Sequence, residues 1–192
     1  MSSISDTASF SSADRLYRYS LFTITSLANA LQPWVLSAAA SNSLKKRQNI
    51  AAASHAVLGV SGGTAMALLG VPVSVLLFGE AVAASGQVMA CYGIAFAAVC
   101  ISTPYIRNVL VPQGNSRLVL VATLGGVLCG VATLFVLPGL LGLLGVALSL
   151  AVSDLVTMTL IICMAWKTNK VTRSSCSAPS NLGEGGPRHM KR

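Results

Sequence analysis

LVLVATLGGVLCGVATLFVLPGLLGLLGVALSLAVSDLVTMTLIICMAW, Leu118 to Trp166, contains one charged residue, Asp154, and one proline, Pro138. A hydrocarbon layer of ~30 Å takes ~20 apolar residues at ~1.5 Å each, so the run is too long for one crossing. It divides into two spans, Leu118 to Leu137 and Leu140 to Trp166, folded back at Pro138, Gly139 and Gly142, where an antiparallel helical hairpin needs breakers. Toward the N-terminus the pattern recurs in Gln87 to Ile106, Ile50 to Phe78 and Tyr19 to Ala40. The period-two alternation of a membrane β-barrel is absent. Lipid requires each segment to satisfy its own backbone hydrogen bonds, so the expected fold is an all-α polytopic transmembrane helix bundle of about five spans.

Composition agrees. Of 192 residues 54% are hydrophobic and 9% charged, with a mean hydropathy of +0.72, whereas a soluble domain carries roughly 25% charged residues. The net charge of +8 is spread over joints and tail instead of forming one face among aromatics. It reads as a topology signal, and nucleic acid is not expected as a partner. Cys91, Cys100, Cys129 and Cys163 stand singly in apolar stretches and Cys176 lies in the tail, the pattern of small packed hydrophobes. No nucleotide loop, nucleophile–base pair or metal-ligand cluster is present. No catalytic residue, cofactor or metal is therefore expected, and the protein reads as a non-enzyme.

Three regions follow. Residues 1–13 are serine-rich and aperiodic and are expected to be a disordered lead-in; 14–166 form the transmembrane domain; 167–192 are basic, with Ser, Pro and Gly, and are expected to be a flexible tail. The Ile50 to Phe78 segment is long and contains Gly59, Gly62, Gly63, Gly70 and Pro72, so it must tilt, bend or start outside the hydrocarbon. Two spans do not fit in it.

Short loops rich in Lys and Arg stay in the cytoplasm. That puts inside the joint with Lys45, Lys46 and Arg47, the joint bounded by Arg107 and Arg117, and the tail with Lys167, Lys170 and Arg173. The joints at Glu80 and Gly139 carry no cation and fall outside. The sides alternate over five spans in a plasma (inner) membrane, N-terminus out and C-terminus in. Arg15 and Arg18 then flank the outer end of the first span, as in a chain that starts midway through a bundle. In the rival reading Tyr19 to Ala40 is a signal sequence cleaved after Ala38-Ala39-Ala40, but Asn29, Gln32 and Pro33 interrupt its apolar centre.

Asp14-Arg15-Leu16-Tyr17-Arg18 before the first span, and Leu31-Gln32-Pro33-Trp34 near its end, resemble the even-numbered spans of the multidrug/oligosaccharidyl-lipid/polysaccharide exporter superfamily. Val75-Leu76-Leu77-Phe78-Gly79 is similar to that family's outer-loop boundary, and Gln113-Gly114-Asn115-Ser116-Arg117 to its glycine-plus-basic inner loop. Leu137-Pro138-Gly139 through Gly142, Gly145-Val146-Ala147-Leu148-Ser149 and Ser153-Asp154 resemble its final pair of spans. The resemblance covers Ala13 to Trp166. It implies a polysaccharide or lipid-linked oligosaccharide flippase of the cell envelope, working without ATP hydrolysis of its own. Members have about twelve to fourteen spans in two halves, so this chain would be a partial half: a truncated product, or one piece of a transporter whose other spans come from a separate chain. The rival functions are a drug/cation antiporter fragment of the same superfamily and a small non-transporting assembly subunit.

Arg18, Thr25, Asn29 and Gln32, at spacings of seven, four and three, share one helix face, and Arg15 extends it outward. Such a stripe faces a helix or an aqueous cavity rather than lipid. In a flippase its hydroxyl and amide groups suit a saccharide and its guanidinium groups suit a phosphate. The plainer alternative is interhelical hydrogen bonding with the arginines snorkelling to headgroups. Asp154, deep in a span, either engages a cavity arginine or coupling cation, or anchors packing through serines and threonines. Pro33 and Pro72 are candidate helix bends for alternating access. The glycine pairs Gly59/Gly63 and Gly126/Gly130 are expected to serve close helix packing, and His55 to bond at an interface. Partners are membrane lipid, a lipid-linked or polymeric saccharide and, for a split transporter, the chain with the missing spans.

Overall fold

The computed structural model describes residues 4–38, 41 and 43–176, with side chains for 7–38, 41 and 43–168. Among these residues five long helices follow one another: α1 (Ile4–Leu36), α2 (Leu44–Phe78), α3 (Gly86–Tyr105), α4 (Ser116–Leu141) and α5 (Leu143–Cys176). A 3₁₀ turn, Glu80–Val82, joins α2 to α3, and α3 runs into a π-helical turn, Ile106–Leu110. The expected all-α bundle is the observed one.

Small residues decide how the helices meet. In the α2–α3 hairpin a Cβ on Gly63 would lie 2.6 Å from the Gly93 carbonyl oxygen, and one on Gly93 would lie 2.5 Å from that of Gly63. The two backbones therefore touch directly. In the α4–α5 hairpin a Cβ on Gly126 would strike the Thr157 hydroxyl and one on Gly130 would come 2.7 Å from Ser153 Cβ. Both expected glycine pairs thus lie at helix contacts, Gly59 facing Ala97 and Cys100. α3 is the central helix: 56% of its apolar stretch is buried, against 11% of that of α4. Its Met89, Tyr92, Ala95, Phe96 and Cys100 form the main core with Ala13, Tyr17 and Ile24 of α1 and Ala147 and Ala151 of α5. A second cluster joins Val109 and Leu110 of the π-turn to Ala122 of α4 and Ile161 and Ala165 of α5.

Four helices are long and apolar enough to cross a membrane: α2, α3 with its π-turn, α4, and α5 as far as Thr168. Their outward faces carry Leu76, Phe135 and Leu140, each more than three-quarters exposed. In water such side chains would forgo about 1.5–3 kcal/mol each relative to burial, and in lipid they would not. α1 falls below that apolarity: its first half is rich in serine and carries Asp14, Arg15 and Arg18, and Asn29, Gln32 and Pro33 interrupt the rest. It nonetheless runs parallel to α3 over the whole length of that helix. Ser9 Oγ donates to the Ala83 carbonyl (2.6 Å) just before α3 begins, and Arg107 Nη1 donates to Asn29 Oδ1 (2.6 Å) just after it ends.

Several boundaries correct the sequence reading. The lead-in is helical from Ile4, with Ser12 and Ala13 buried; Ser12 Oγ bonds back to the Ala8 carbonyl (3.1 Å), so that serine is satisfied inside a helix without apolar periodicity. Met1 to Ser3 lie outside the described residues. α2 starts at Leu44 and runs unbroken through Pro72. Of the three breakers expected at the last hairpin, Pro138, Gly139 and Gly142, it is Gly142 that turns: α4 absorbs Pro138 and Gly139 in its final turns, and the reversal uses the φ of 60° and ψ of −136° at Gly142, a backbone state suited to glycine. The presumed flexible tail continues α5 as helix to Cys176, because extending an existing helix is far easier than nucleating one. Residues 177–192 lie outside the described residues, as do Ala39 and Ala40.

Candidate functional site

α1 brings its polar groups to α3 and α5 at two levels. At the upper level Tyr17 and Tyr92, both buried, stack with ring centroids 4.9 Å apart and planes 25° apart, and Phe10 tilts against Tyr92 at 6.1 Å. The Tyr17 hydroxyl donates to Asp154 Oδ2 (3.2 Å), linking α1 to α5. The Asp14 carboxylate lies near the Tyr92 hydroxyl and holds Arg18 in an ion pair of 2.7 Å, the arginine side chain 72% exposed. Two carboxylates therefore flank a stacked tyrosine pair. A tyrosine, not an arginine or a serine, is the observed partner of Asp154. The neighbouring hydroxyls are used elsewhere: Ser153 Oγ donates to the Gly126 carbonyl (2.9 Å) and Thr157 Oγ1 to that of Ser153 (2.9 Å).

At the lower level a cleft of ≈ 250 Å³ opens between α1 and α3, lined by Leu21, Ile24 and Thr25 on one side and Val99, Thr103, Ile106 and Arg107 on the other. Thr25 Oγ1 donates to the Leu21 carbonyl (3.2 Å) and Thr103 Oγ1 to that of Val99 (2.7 Å), so both hydroxyls keep acceptor capacity toward a ligand. Arg107 closes the cleft through its bond to Asn29 (2.6 Å).

The predicted stripe is thus divided. Thr25 lines the cleft, Asn29 bonds to the Arg107 that also lines it, and Gln32 follows half-buried on the same helix. Arg15 and Arg18 are exposed on the earlier turns of α1, Arg18 about 10 Å before Thr25 along the axis. The cation at the cleft is Arg107, which the sequence offered only as a loop charge. Its placement depends on the π-turn, where the helix widens by one residue per turn, and such turns recur at functional positions. Pro104, two residues before that turn and unable to donate a helix hydrogen bond, was the available signal.

Comparison with protein-family models, curated proteins and solved structures gives no match. Any assignment therefore rests on the chain's own residues.

Behind the cleft lie two polar side chains with unsatisfied atoms. His55 is fully buried; its Nδ1 lies 2.8 Å from the Ala51 carbonyl, so that nitrogen carries the proton and Nε2 is left as an acceptor without a partner. Asn108, 4% exposed, has no partner at Oδ1, while its main-chain carbonyl accepts from Gln48 Nε2 (2.6 Å). His55 is a core residue of the α2–α3 contact, its carbonyl accepting from the Cys100 thiol at 3.1 Å, instead of the expected interfacial one. Pro33 and Pro72 lie exposed within unbroken helices. Among the described residues no three His, Cys, Asp or Glu side chains stand close enough to hold a metal ion.

Proposed function

We propose that the chain is the membrane-embedded part of a flippase for polysaccharide or lipid-linked oligosaccharide, moving its substrate without covalent chemistry. The observation that carries the reading is the α1–α3 cleft, which gathers Thr25, Thr103 and Arg107 on walls that are otherwise Leu, Ile and Val. Hydroxyls and a guanidinium gathered in an apolar bundle are the groups a polar ligand would use there. Hydroxyls matched to a saccharide, beside a guanidinium able to grip a phosphate through two parallel hydrogen bonds, are the chemistry that such a substrate requires. The resemblance of Ala13 to Trp166 to the oligosaccharide exporters points the same way. The Arg107–Asn29 bond is the contact that a phosphate would displace.

A photoactivatable polyprenyl-diphosphate saccharide tests the reading, because binding requires only the cleft and not a complete transport cycle. In membranes containing the full chain it should label α1 around Thr25 and α3 around Thr103, in competition with unmodified lipid-linked saccharide. Arg107→Ala should weaken labelling roughly ten-fold, the effect of losing one charge-assisted contact. Labelling that ignores both the competitor and Arg107→Ala would sink the proposal.

A further inference from the structure

The charges are sorted along the bundle axis. α2 begins, α3 ends, α4 begins and α5 ends at the same end of the molecule. Gln48 of α2 reaches Asn108 of the π-turn (2.6 Å), and Leu118 of α4 packs with Val109, Leu110 and Ala165. Lys45, Lys46, Arg47, Arg107, Arg117 and Lys167 all stand there. The side chains described for Asp14, Glu80 and Asp154 all lie elsewhere, Asp14 and Asp154 around the tyrosine pair and Glu80 at the opposite loop.

Two of these cations are used within the fold. Arg107 bonds to Asn29, and Arg47 donates to the Trp34 carbonyl (2.6 Å) and Ser37 Oγ (2.8 Å), with its guanidinium 5.0 Å from the Trp34 ring centroid. That contact satisfies an orphan carbonyl at the end of α1 and locks Trp34 in place. Lys45, Lys46, Arg117 and Lys167 are exposed and have no counter-ion among the described residues. Three of them sit where helix stability does not want them: Lys45 and Lys46 in the first turn of α2 and Arg117 in that of α4, against the positive end of the helix dipole, with no acid in either turn. An external anion would offset that placement.

The tryptophans mark its depth. The chain has two, Trp34 and Trp166, 39% and 66% exposed, and both lie at this end, one on α1 and one beside Lys167 on α5. Tryptophan with Lys and Arg at one level of an apolar bundle is the composition of a membrane–water boundary. We propose that this end of the bundle is a seat for anionic phospholipid headgroups, with Lys45, Lys46 and Arg117 making the principal contacts and Trp34 and Trp166 lying at headgroup depth. Each cation near such a surface is worth roughly a five-fold enrichment of anionic lipid. The proposal does not depend on the transport reading.

Because both tryptophans lie at the proposed seat, their fluorescence reports on it directly. The full chain is reconstituted in phosphatidylcholine bilayers containing a fixed minor fraction of lipid brominated on its acyl chains near the headgroup, either phosphatidylglycerol or phosphatidylcholine. Quenching should be several-fold more efficient per molecule with brominated phosphatidylglycerol, and raised salt should reduce the preference. The triple variant Lys45→Gln, Lys46→Gln, Arg117→Gln, which removes the charge but keeps a polar side chain at three exposed positions, should lose most of it. Glu80→Gln at the opposite end should leave it unchanged. Equal quenching by the two lipids, or a preference that survives the triple variant, overturns the proposal.

Discussion

The bond from Tyr17 to Asp154 is the one side-chain hydrogen bond described between α1 and α5, and it reaches across 137 residues of chain. Removing the hydroxyl in Tyr17→Phe keeps the stack on Tyr92 but leaves a partly buried carboxylate oxygen without its donor, which destabilises by about 1–3 kcal/mol. The variant should unfold several degrees lower in a thermal melt in detergent. Asp154→Asn keeps an acceptor for the tyrosine and should melt close to the parent; a drop matching that of Tyr17→Phe would mean that the charge itself holds α1. The sequence singled out Asp154 from its depth in an apolar run but not its partner. Tyr17 was visible only as part of a motif, and a pairing over that separation has no local signature. Arg107 was hidden for the same reason: as a loop cation it looked like a topology signal, and only the fold brings it to Asn29.

Element boundaries were legible where a single physical cause sets them. The start of α3 follows the Ser85 cap, whose hydroxyl accepts from the Val88 amide (3.3 Å), and the end of α2 follows Gly79 with a φ of 87°. Reading failed where two causes compete. Pro138 looked like the turn, yet the Gly142 amide bonds to its carbonyl (2.9 Å) and carries α4 onward to the glycine that can reverse. Glycines of one helix differ just as sharply. Gly126→Ala would drive a methyl into the Thr157 hydroxyl and to 2.8 Å from the Ser153 carbonyl oxygen, forcing α4 and α5 apart, whereas a Cβ on Gly139 meets nothing within 4 Å. Gly126→Ala should therefore destabilise by about 1–3 kcal/mol. Gly139→Ala, which gains helix propensity in open space, should be neutral or slightly stabilising. Parallel melts of the two variants check the pair, and equal stability would mean that α4 does not pack on α5 through this face.

At the scale of the molecule the open quantity is how many times the chain crosses, and α1 decides it. Apolarity admits four helices and leaves α1 out, yet α1 follows α3 from Ala83 to Arg107 and shares its core through Tyr17 and Ile24. A bilayer enclosing α3 in this packing would reach α1 as well. Several of its polar groups find partners within the protein: Ser20 Oγ donates to the Tyr17 carbonyl (2.6 Å), Thr25 Oγ1 to that of Leu21 and the Tyr17 hydroxyl to Asp154, and Asn29 Oδ1 accepts from the Arg107 guanidinium. Hydropathy averages over a helix and cannot see which polar groups are satisfied, and by that measure α1, where the sequence suggested a span from Tyr19 to Ala40, is not among the helices apolar enough to cross. Were there five crossings, the start of α1 and the end of α5 would lie on opposite sides, and the rule that keeps cation-rich loops inside would turn the cation-rich end to the cytoplasm. Reporter fusions after Lys46, Gly79, Arg117, Gly142 and Lys170 should report inside, outside, inside, outside and inside, and a tag placed before Ile4 should be accessible from outside in intact cells. If α1 instead lies on the surface of a four-crossing bundle, that tag would be protected and the five fusions unchanged. The tag alone separates the two arrangements, and its protection would also remove the α1–α3 cleft from the membrane interior.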